Sequence, residues 1–242
     1  MKIKKIILGL VILVVLLVLI AVGVTALMLD SIVKKGVETY GPQFTKVDVK
    51  LDSVHIGLLS GSVSVKGLAV GNPEGYTAPH SITAGLISVG VDSGTLLKNK
   101  IVVRTIRLES PEITFEGGLM KNNLTKLMDN VSGTNTSTTA ESKSAGPGKT
   151  LEVDDLRIIG AKVHVGQGGT TVTIPEIHLQ DLGKGPEGIT AKDLTKQVLS
   201  ELVKGTVKEV ADSGVLKGTE KAAGEAVGKA TKSLSDLFKK KE

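Results

Sequence analysis

The stretch "VSVKGLAVGNPEGYTAPHSI", residues 63–82, decides the predicted fold. Val63 and Val65 alternate with polar residues, and the apolar positions continue on the other parity after Gly67. Strict alternation is typical of a strand whose sheet has one buried face, and a bulge at Gly67 would explain the change of parity. The stretch therefore predicts a β-strand that leads into the Asn-Pro-Glu-Gly sequence.

That sequence, residues 72–75, predicts a tight turn. Pro73 fixes φ at the second turn position and Gly75 suits the fourth, so we expect a type I turn. Tyr76 follows directly, in a chain in which only 2% of residues are aromatic. We expect its ring to cover the strand ends while its hydroxyl stays in water. The functional alternative is that Tyr76 contacts a lipid.

The same alternation predicts strands on both sides of this turn. We expect at least six strands before residue 117. Residues 101–108 and 112–115 are expected to form a pair of strands, and Pro111 restricts where they can pair. Further strands are expected between residues 151 and 179, around a hairpin at "GQGG". Counting outward from that hairpin, His164 faces Thr171 and not His178. A "GPEGITA" sequence at 185–191 repeats the "NPEGYTA" of 72–78 and suggests a repeated unit.

Composition excludes several classes of function. Apolar residues make up 40% of the 242 residues and Trp is absent, so the core consists of Val, Ile and Leu. The formal net charge is +5 with no Lys/Arg block interleaved with aromatic residues, which argues against nucleic-acid binding. The chain has no cysteine, which excludes disulfides, thiolate metal sites and a cysteine nucleophile.

The N-terminus predicts a membrane anchor. Lys2, Lys4 and Lys5 precede an uncharged run from Ile6 to Leu29. Roughly two dozen helical residues span about 36 Å, enough to cross a bilayer. A cleaved signal peptide, with Val-Thr-Ala at 24–26 as its cleavage site, is the alternative, but the run is longer than the usual apolar region of such peptides. We expect a single-pass protein with its N-terminus in the cytoplasm and its bulk translocated.

The rest of the chain divides by composition. Residues 131–149 are rich in Ser, Thr, Gly and Asn, which indicates a flexible linker or long loop. From Thr190 the apolar period changes to 3.6, and Thr190 with Asp193 resembles a capping box. We therefore predict an α+β fold: an N-terminal transmembrane helix, a curved mainly antiparallel β-sheet body and C-terminal amphipathic helices. The predicted parts are 1–30 (anchor), 31–130 (first β-rich part), 131–149 (linker), 150–189 (second β-rich part) and 190–242 (helical segment).

These features together resemble one family. The basic tail, the apolar run, "VSVKGLAVGNPEGY" at 63–76 and "VDDLRIIGAKVHV" at 153–165 resemble the AsmA-like family of bacterial envelope proteins. Residues 101–115 and 151–165 look like that family's repeated strand pairs. The resemblance implies a bacterial inner-membrane anchor, a periplasmic β-rich body and a role in envelope or outer-membrane lipid homeostasis. The chain is much shorter than the family's large members, which are similar to groove-shaped lipid-transfer proteins.

No catalytic or metal motif is evident. The four histidines lack metal-ligand spacing, and no nucleophile elbow, HExxH sequence or P-loop occurs, so we predict neither an enzyme nor a cofactor. The first hypothesis is binding of membrane lipid or another hydrophobic ligand by the apolar sheet face, with the C-terminal helices as a lid. The second is a non-catalytic envelope scaffold that recruits a partner protein at a sheet edge. The predicted lipid-binding residues are Val47, Val49, Leu51, Val63, Val65, Tyr76, Val89, Val91, Ile106, Leu108, Val163, Val165 and Val172.

Overall fold

The computed structural model describes residues 28–133, 149–166 and 169–216, which form an α+β fold. One mixed ten-stranded sheet curls into a half-barrel, and the described residues include three α-helices. The helices are α1 (residues 28–45), α2 (Asn123–Ser132) and α3 (Ala191–Asp212). The strands are β1 (Val49–Lys50), β2 (Ser53–Gly57), β3 (Ser62–Gly71), β4 (His80–Val91), β5 (Lys100–Glu109), β6 (Glu112–Phe115), β7 (Thr150–Ile159), β8 (Lys162–Val165), β9 (Thr171–Thr173) and β10 (Ile177–Leu182).

The sheet is mainly antiparallel, as predicted. Only β5 with β7 and β6 with β8 are parallel among the strands of the described residues. Six strands precede residue 117, which also agrees with the prediction. His164 faces Thr171 across the β8–β9 hairpin, as expected from the sequence.

A single crease crosses the whole sheet. In β3 and β4 the register runs from Lys66 opposite Leu86 to Leu68 opposite Ala84, so Gly67 lies opposite Gly85. The other strands begin, end or change partner at the same level. From one edge of the sheet to the other, the crease comprises Asp52, Gly67, Gly85, Ser110, Gly160 and Pro175.

The crease reverses the inward face of each strand. Ile82 and Ile87 line the same cavity although they are five residues apart, a spacing that puts side chains on opposite faces of a regular strand. Gly67 adopts a left-handed φ of 63°, which favours glycine. The sequence therefore located the change of parity correctly. The predicted bulge at Gly67 was wrong, because Gly85 on the paired strand changes parity at the same level and the two strands stay in register. The register of this pair shifts between Val70 and Gly71.

The β5–β6 and β7–β8 segments form a structural repeat. Lys100 lies opposite Thr150 and Phe115 opposite Val165, so an offset of 50 residues holds along both parallel pairs. β5 and β6 lie end to end along β4 and do not pair with each other, so their predicted pairing was wrong. The similarity noted between residues 101–115 and 151–165 thus corresponds to two adjacent copies of one broken strand.

The turn after β3 begins one residue later than predicted. The N–H of Tyr76 donates to the carbonyl of Pro73 at 3.3 Å, and Gly75 occupies the third turn position with a φ of 89°. A positive φ at that position defines a type II turn and not type I. The second Pro-Glu-Gly sequence also has a left-handed glycine, Gly188, but it leads into helix α3 and not into a strand. The two segments do not share the turn bond either, because the N–H of Ile189 donates to the carbonyl of Leu151 and not to Pro186, so the suggested repeated unit was wrong.

Helices α2 and α3 begin at well-formed caps. The side chain of Asn122 accepts from the N–H of Thr125, whose hydroxyl accepts from the N–H of Asn122, a reciprocal capping box. Thr190 accepts from the N–H of Asp193 and starts α3, as predicted. Helix α2 was not predicted, and it occupies residues assigned to the first β-rich part and the start of the linker. The remaining linker and the predicted helical stretch after residue 216 lie outside the described residues.

Helix α1 lies along the β1–β2 edge of the sheet, within a region that was predicted to be β-rich. Its polar side chains satisfy backbone groups of that edge: Asp30 accepts from the N–H of Ile56 at 2.8 Å, and Glu38 accepts from the N–H of Leu51 at 3.1 Å. Helix α1 therefore covers an edge that would otherwise be open to strand addition.

The predicted anchor falls almost entirely on residues 1–27, which the structure does not describe. Among the helices that it does describe, none combines the length and the apolar character needed to cross a bilayer. Transmembrane anchoring therefore stays a prediction from the sequence.

Candidate functional site

An apolar cavity lies between the inner face of the sheet and the helices. It has a volume of about 300 Å³ and is partly open to solvent. Protein interiors contain few voids larger than one water molecule, whereas ligand pockets start at about this size. The cavity is therefore large enough to hold a small apolar ligand or part of a larger one.

The crease positions the sheet side of this cavity. Residues on both sides of the crease face inward because each strand changes parity there, as Ile82 and Ile87 do in β4. The ends of α1 and α2 and the first half of α3 complete the wall. The lining residues are Thr45, Leu68, Val70, Ile82, Ile87, Ile106, Leu108, Leu127, Val131, Leu156, Ile158, Leu194, Thr195, Val198, Leu199 and Leu202.

The chemistry of the lining is almost purely aliphatic. Thr45 and Thr195 are its two polar residues, and the lining contains no titratable side chain. Nothing in this lining can transfer a proton or compensate a buried charge, so a charged group in the cavity would lose its hydration without replacement. The cavity suits an alkyl or other apolar group, and the polar part of any ligand would remain outside.

The floor and the mouth of the cavity differ in exposure. Leu127, Val131 and Ile158 are each about 1% exposed and belong to the main core. Leu68 and Val198 are half-buried and mark the solvent side. Part of the lining therefore belongs to the core, and the rest lies nearer to solvent.

Two of the thirteen predicted lipid-binding residues, Ile106 and Leu108, line this cavity. Val47, Val163 and Val165 are buried in the main core, and Val89 and Val172 pack against it. The remaining predicted residues are Val49 and Leu51, which are buried near α1, Val63, Val65 and Val91, which are half-buried on the sheet, and Tyr76, which is half-buried in the connection between β3 and β4.

Two features of the structure place residues in the lining that were not predicted to belong to it. Ile87 falls on the opposite parity from Ile82, and only the crease brings both to one face. Leu127 and Val131 come from α2, whose helical period was overlooked. The spacing of Leu124, Leu127, Met128 and Val131 and the cap at Asn122 are the signals that identify this helix.

A buried carboxylate fixes the turn that follows β3. Glu116 is 8% exposed, and it accepts from the N–H groups of Thr77 and Ala78 at 2.7 and 2.8 Å. The hydroxyl of Thr77 and the side-chain amide of Asn72 donate to the same carboxylate. Backbone and side-chain donors thus replace the water that the charge loses on burial.

Tyr76 lies half-buried beside this carboxylate. The pKa of its hydroxyl is raised, first by burial and second by the negative charge of Glu116. Tyr76 is not part of the cavity lining, and its packing over the strand ends stays a prediction.

The adjacent carboxylates of Asp154 and Asp155 lie in surface ion pairs. Asp154 and Asp92 both accept hydrogen bonds from Arg104, and Asp155 accepts from Arg157 and bonds to His178. The pKa of Asp155 is lowered, mainly by the hydrogen bond to His178. Within residues 28–133, 149–166 and 169–216, no group of three His, Asp or Glu side chains has the geometry to hold a metal ion.

No family model, curated protein or solved structure matches this chain. The resemblance to the AsmA-like family therefore rests on the sequence features alone and stays a prediction.

Proposed function

We propose that the protein binds a membrane lipid or a similar hydrophobic ligand by an alkyl group, without catalysing a reaction. The observation that carries this proposal is the open cavity of about 300 Å³ with an aliphatic lining. This volume corresponds to roughly ten water-sized groups. It accommodates a segment of an alkyl chain, with the headgroup and the rest of the lipid outside.

Membrane anchoring would bring the cavity close to a source of lipid. The uncharged run from Ile6 to Leu29 supports anchoring by its length and composition. Helix α1 follows it and carries an exposed apolar stripe that ends beside Thr45, at the rim of the cavity. The stripe residues are Met28, Ile32, Val33, Val37, Tyr40 and Phe44. We place the protein in the bacterial inner membrane with its body in the periplasm, in a role in envelope lipid homeostasis.

The alternative role, an envelope scaffold that recruits a partner strand, has weaker support. The β1–β2 edge is covered by α1, and the β9–β10 edge is short and broken at Pro175. Asp181 adds a second interruption to β10 with a φ of 55°. Breaks of this kind oppose strand addition.

Photocrosslinking tests the lipid proposal. The full chain in proteoliposomes is irradiated with a diazirine-bearing fatty acid, and mass spectrometry locates the labelled peptides. Val198→Trp fills the mouth of the cavity, whereas Val102→Trp changes a half-buried valine outside the lining. We expect labelling of the cavity peptides in the wild type and in Val102→Trp, and its loss in Val198→Trp. Labelling confined to residues 1–27, or equal in all three proteins, would contradict ligand binding in the cavity.

A further inference from the structure

Two neighbouring loops at one end of the sheet each expose a leucine almost completely. Leu59, in the turn between β2 and β3, is 97% exposed. Leu97, in the connection between β4 and β5, is also 97% exposed. Each follows another leucine, in "GLLSG" at 57–61 and "GTLLKNK" at 94–100. A single exposed leucine is common on protein surfaces, but several exposed apolar side chains at one end of a sheet form a patch that suits a contact outside the fold.

The two loops are held together by the sheet. The N–H of Val91, at the end of β4, donates to the carbonyl of Gly61 at 2.6 Å. The second loop is ordered by a short 3₁₀ helix, Ser93–Thr95, whose cap is Asp92. The side chain of Thr95 bonds back to the carbonyl of Asp92 at 2.7 Å. The exposed leucines therefore sit on supported turns and not on loose ends.

The N-terminal apolar run meets the body at the same end. Asp30, in the first described turn of α1, accepts from the N–H of Ile56 near the end of β2. Residue 28 therefore lies close to the turn that carries Leu59. Met28 and Ile32 add exposed apolar surface there, at 60% and 59%.

Lysines accompany the apolar tips. Lys98 directly follows Leu97 and is exposed. Lys149 is also exposed, and its ammonium group donates to the carbonyl of Leu96. Apolar side chains at loop tips with lysines behind them match the layering of a bilayer surface, in which acyl chains lie beneath anionic headgroups.

We propose that this end of the sheet docks on the bilayer, with Leu59 and Leu97 inserted at the level of the upper acyl chains. The contact orients the body and fixes its height above the membrane, in addition to any tethering by the N-terminal run. The occupant of the patch is the lipid surface, because the uncharged run from Ile6 to Leu29 leads to the same end. The inference rests on the proposed membrane anchoring and does not depend on a ligand in the cavity.

Tryptophan fluorescence tests the docking directly, because the chain has no Trp of its own. Leu59→Trp and Leu97→Trp place a single reporter at each tip. The full chain is reconstituted in vesicles of phosphatidylcholine and phosphatidylglycerol with bromine atoms near the headgroup end of the acyl chains. Leu86→Trp is the matched control, since Leu86 is also exposed, at 41%, but lies beside the crease.

We expect blue-shifted emission and loss of intensity in brominated vesicles for both tip variants, and neither change for Leu86→Trp. Replacing Lys98 and Lys149 by glutamate should reduce the quenching of the tip reporters when phosphatidylglycerol is present. Protein that floats with the vesicles but shows unquenched tips would overturn the docking and leave the anchor intact. A blue shift without bromine quenching would assign the patch to a protein contact and also overturn it. Protein that does not float would overturn the anchor and the docking together, without affecting the cavity.

Discussion

The carboxylate of Glu116 accepts the backbone N–H of Thr77 at 2.7 Å, and this bond joins the end of β6 to the turn after β3. The chain between the two residues forms β4, β5 and β6, so the contact closes a long loop with a charged, buried group. Asn123 strengthens the junction because its side chain bonds to Asn72 at 2.9 Å and to the carbonyl of Thr114 at 2.7 Å. The turn, the strand end and the start of α2 therefore form one unit.

Replacing Glu116 with glutamine should destabilise the protein. The amide keeps one acceptor oxygen, but its NH₂ group faces the N–H of Thr77 or of Ala78, so one of these two part-buried hydrogen bonds is lost. We expect the free energy of unfolding to fall by about 1–3 kcal/mol, measured by urea denaturation. Glu74→Gln, in the same turn but exposed, is the control and should leave stability within about 0.5 kcal/mol. Equal stability of both variants would show that the carboxylate network contributes little.

The edge contact of α1 gives a second, local prediction. Removing the side chain in Glu38→Ala leaves the N–H of Leu51 without its acceptor, because that bond comes from the helix and not from a neighbouring strand. Amide hydrogen exchange should become faster at Leu51, with a loss of roughly 0.5–1.5 kcal/mol in the local opening free energy. Glu38→Gln retains a carbonyl acceptor and should preserve most of the protection. Unchanged exchange in Glu38→Ala would mean that α1 does not protect this edge.

The strands could be predicted from the sequence because the alternation of apolar and polar residues is a local property of the chain. Val63 and Val65 mark one face of β3, and the same reasoning located β9 before Pro175 and β10 after it. The parallel pairing of β5 with β7 was beyond such reasoning, since it joins residues 50 positions apart and depends on how α2 returns the chain. Only the similarity between residues 101–115 and 151–165 indicated that the two segments are related.

The cavity was predictable in kind but not in detail. An aliphatic lining followed from a composition without Trp, and Ile106 and Leu108 were among the expected residues. The others depend on the crease and on the packing of α2 and α3. Val163 lies beyond the crease on β8 and is fully buried in the core, whereas Ile158, before the crease, lines the cavity. Alternation alone does not distinguish these two positions.

Acid should weaken the surface network at Asp155. The pKa of Asp155 is lowered first by the hydrogen bond to His178 and next by that from Arg157. A lowered folded-state pKa stabilises the protein at pH values above the ordinary carboxyl pKa of about 3.9, and this contribution is lost as the pH falls through the folded value. In Asp155→Asn we expect a smaller drop in the urea midpoint below about pH 4 than in the wild type.

The control for this experiment is Asp48→Asn, which changes an exposed aspartate that precedes β1. Its acid dependence should match that of the wild type. An unchanged pH profile in Asp155→Asn would indicate that solvent screening removes the effect of this exposed network.

The two glycines of the crease predict opposite effects of substitution by alanine. Gly67 and Gly85 lie opposite each other, but an added Cβ has different surroundings at the two positions. A Cβ on Gly67 would lie 1.9 Å from Oδ2 of Asp52, and its φ of 63° is unfavourable for alanine. A Cβ on Gly85 meets no atom within 4 Å, and its φ lies outside the left-handed range.

We expect Gly67→Ala to lower the free energy of unfolding by at least about 1–2 kcal/mol, the strain of a left-handed alanine. Gly85→Ala should be neutral or stabilising by about 0.4–1 kcal/mol, because it restricts the unfolded chain. Thermal and urea unfolding of the two variants measures the difference. Equal destabilisation would show that the crease depends on flexibility in both strands and not on the left-handed conformation of Gly67.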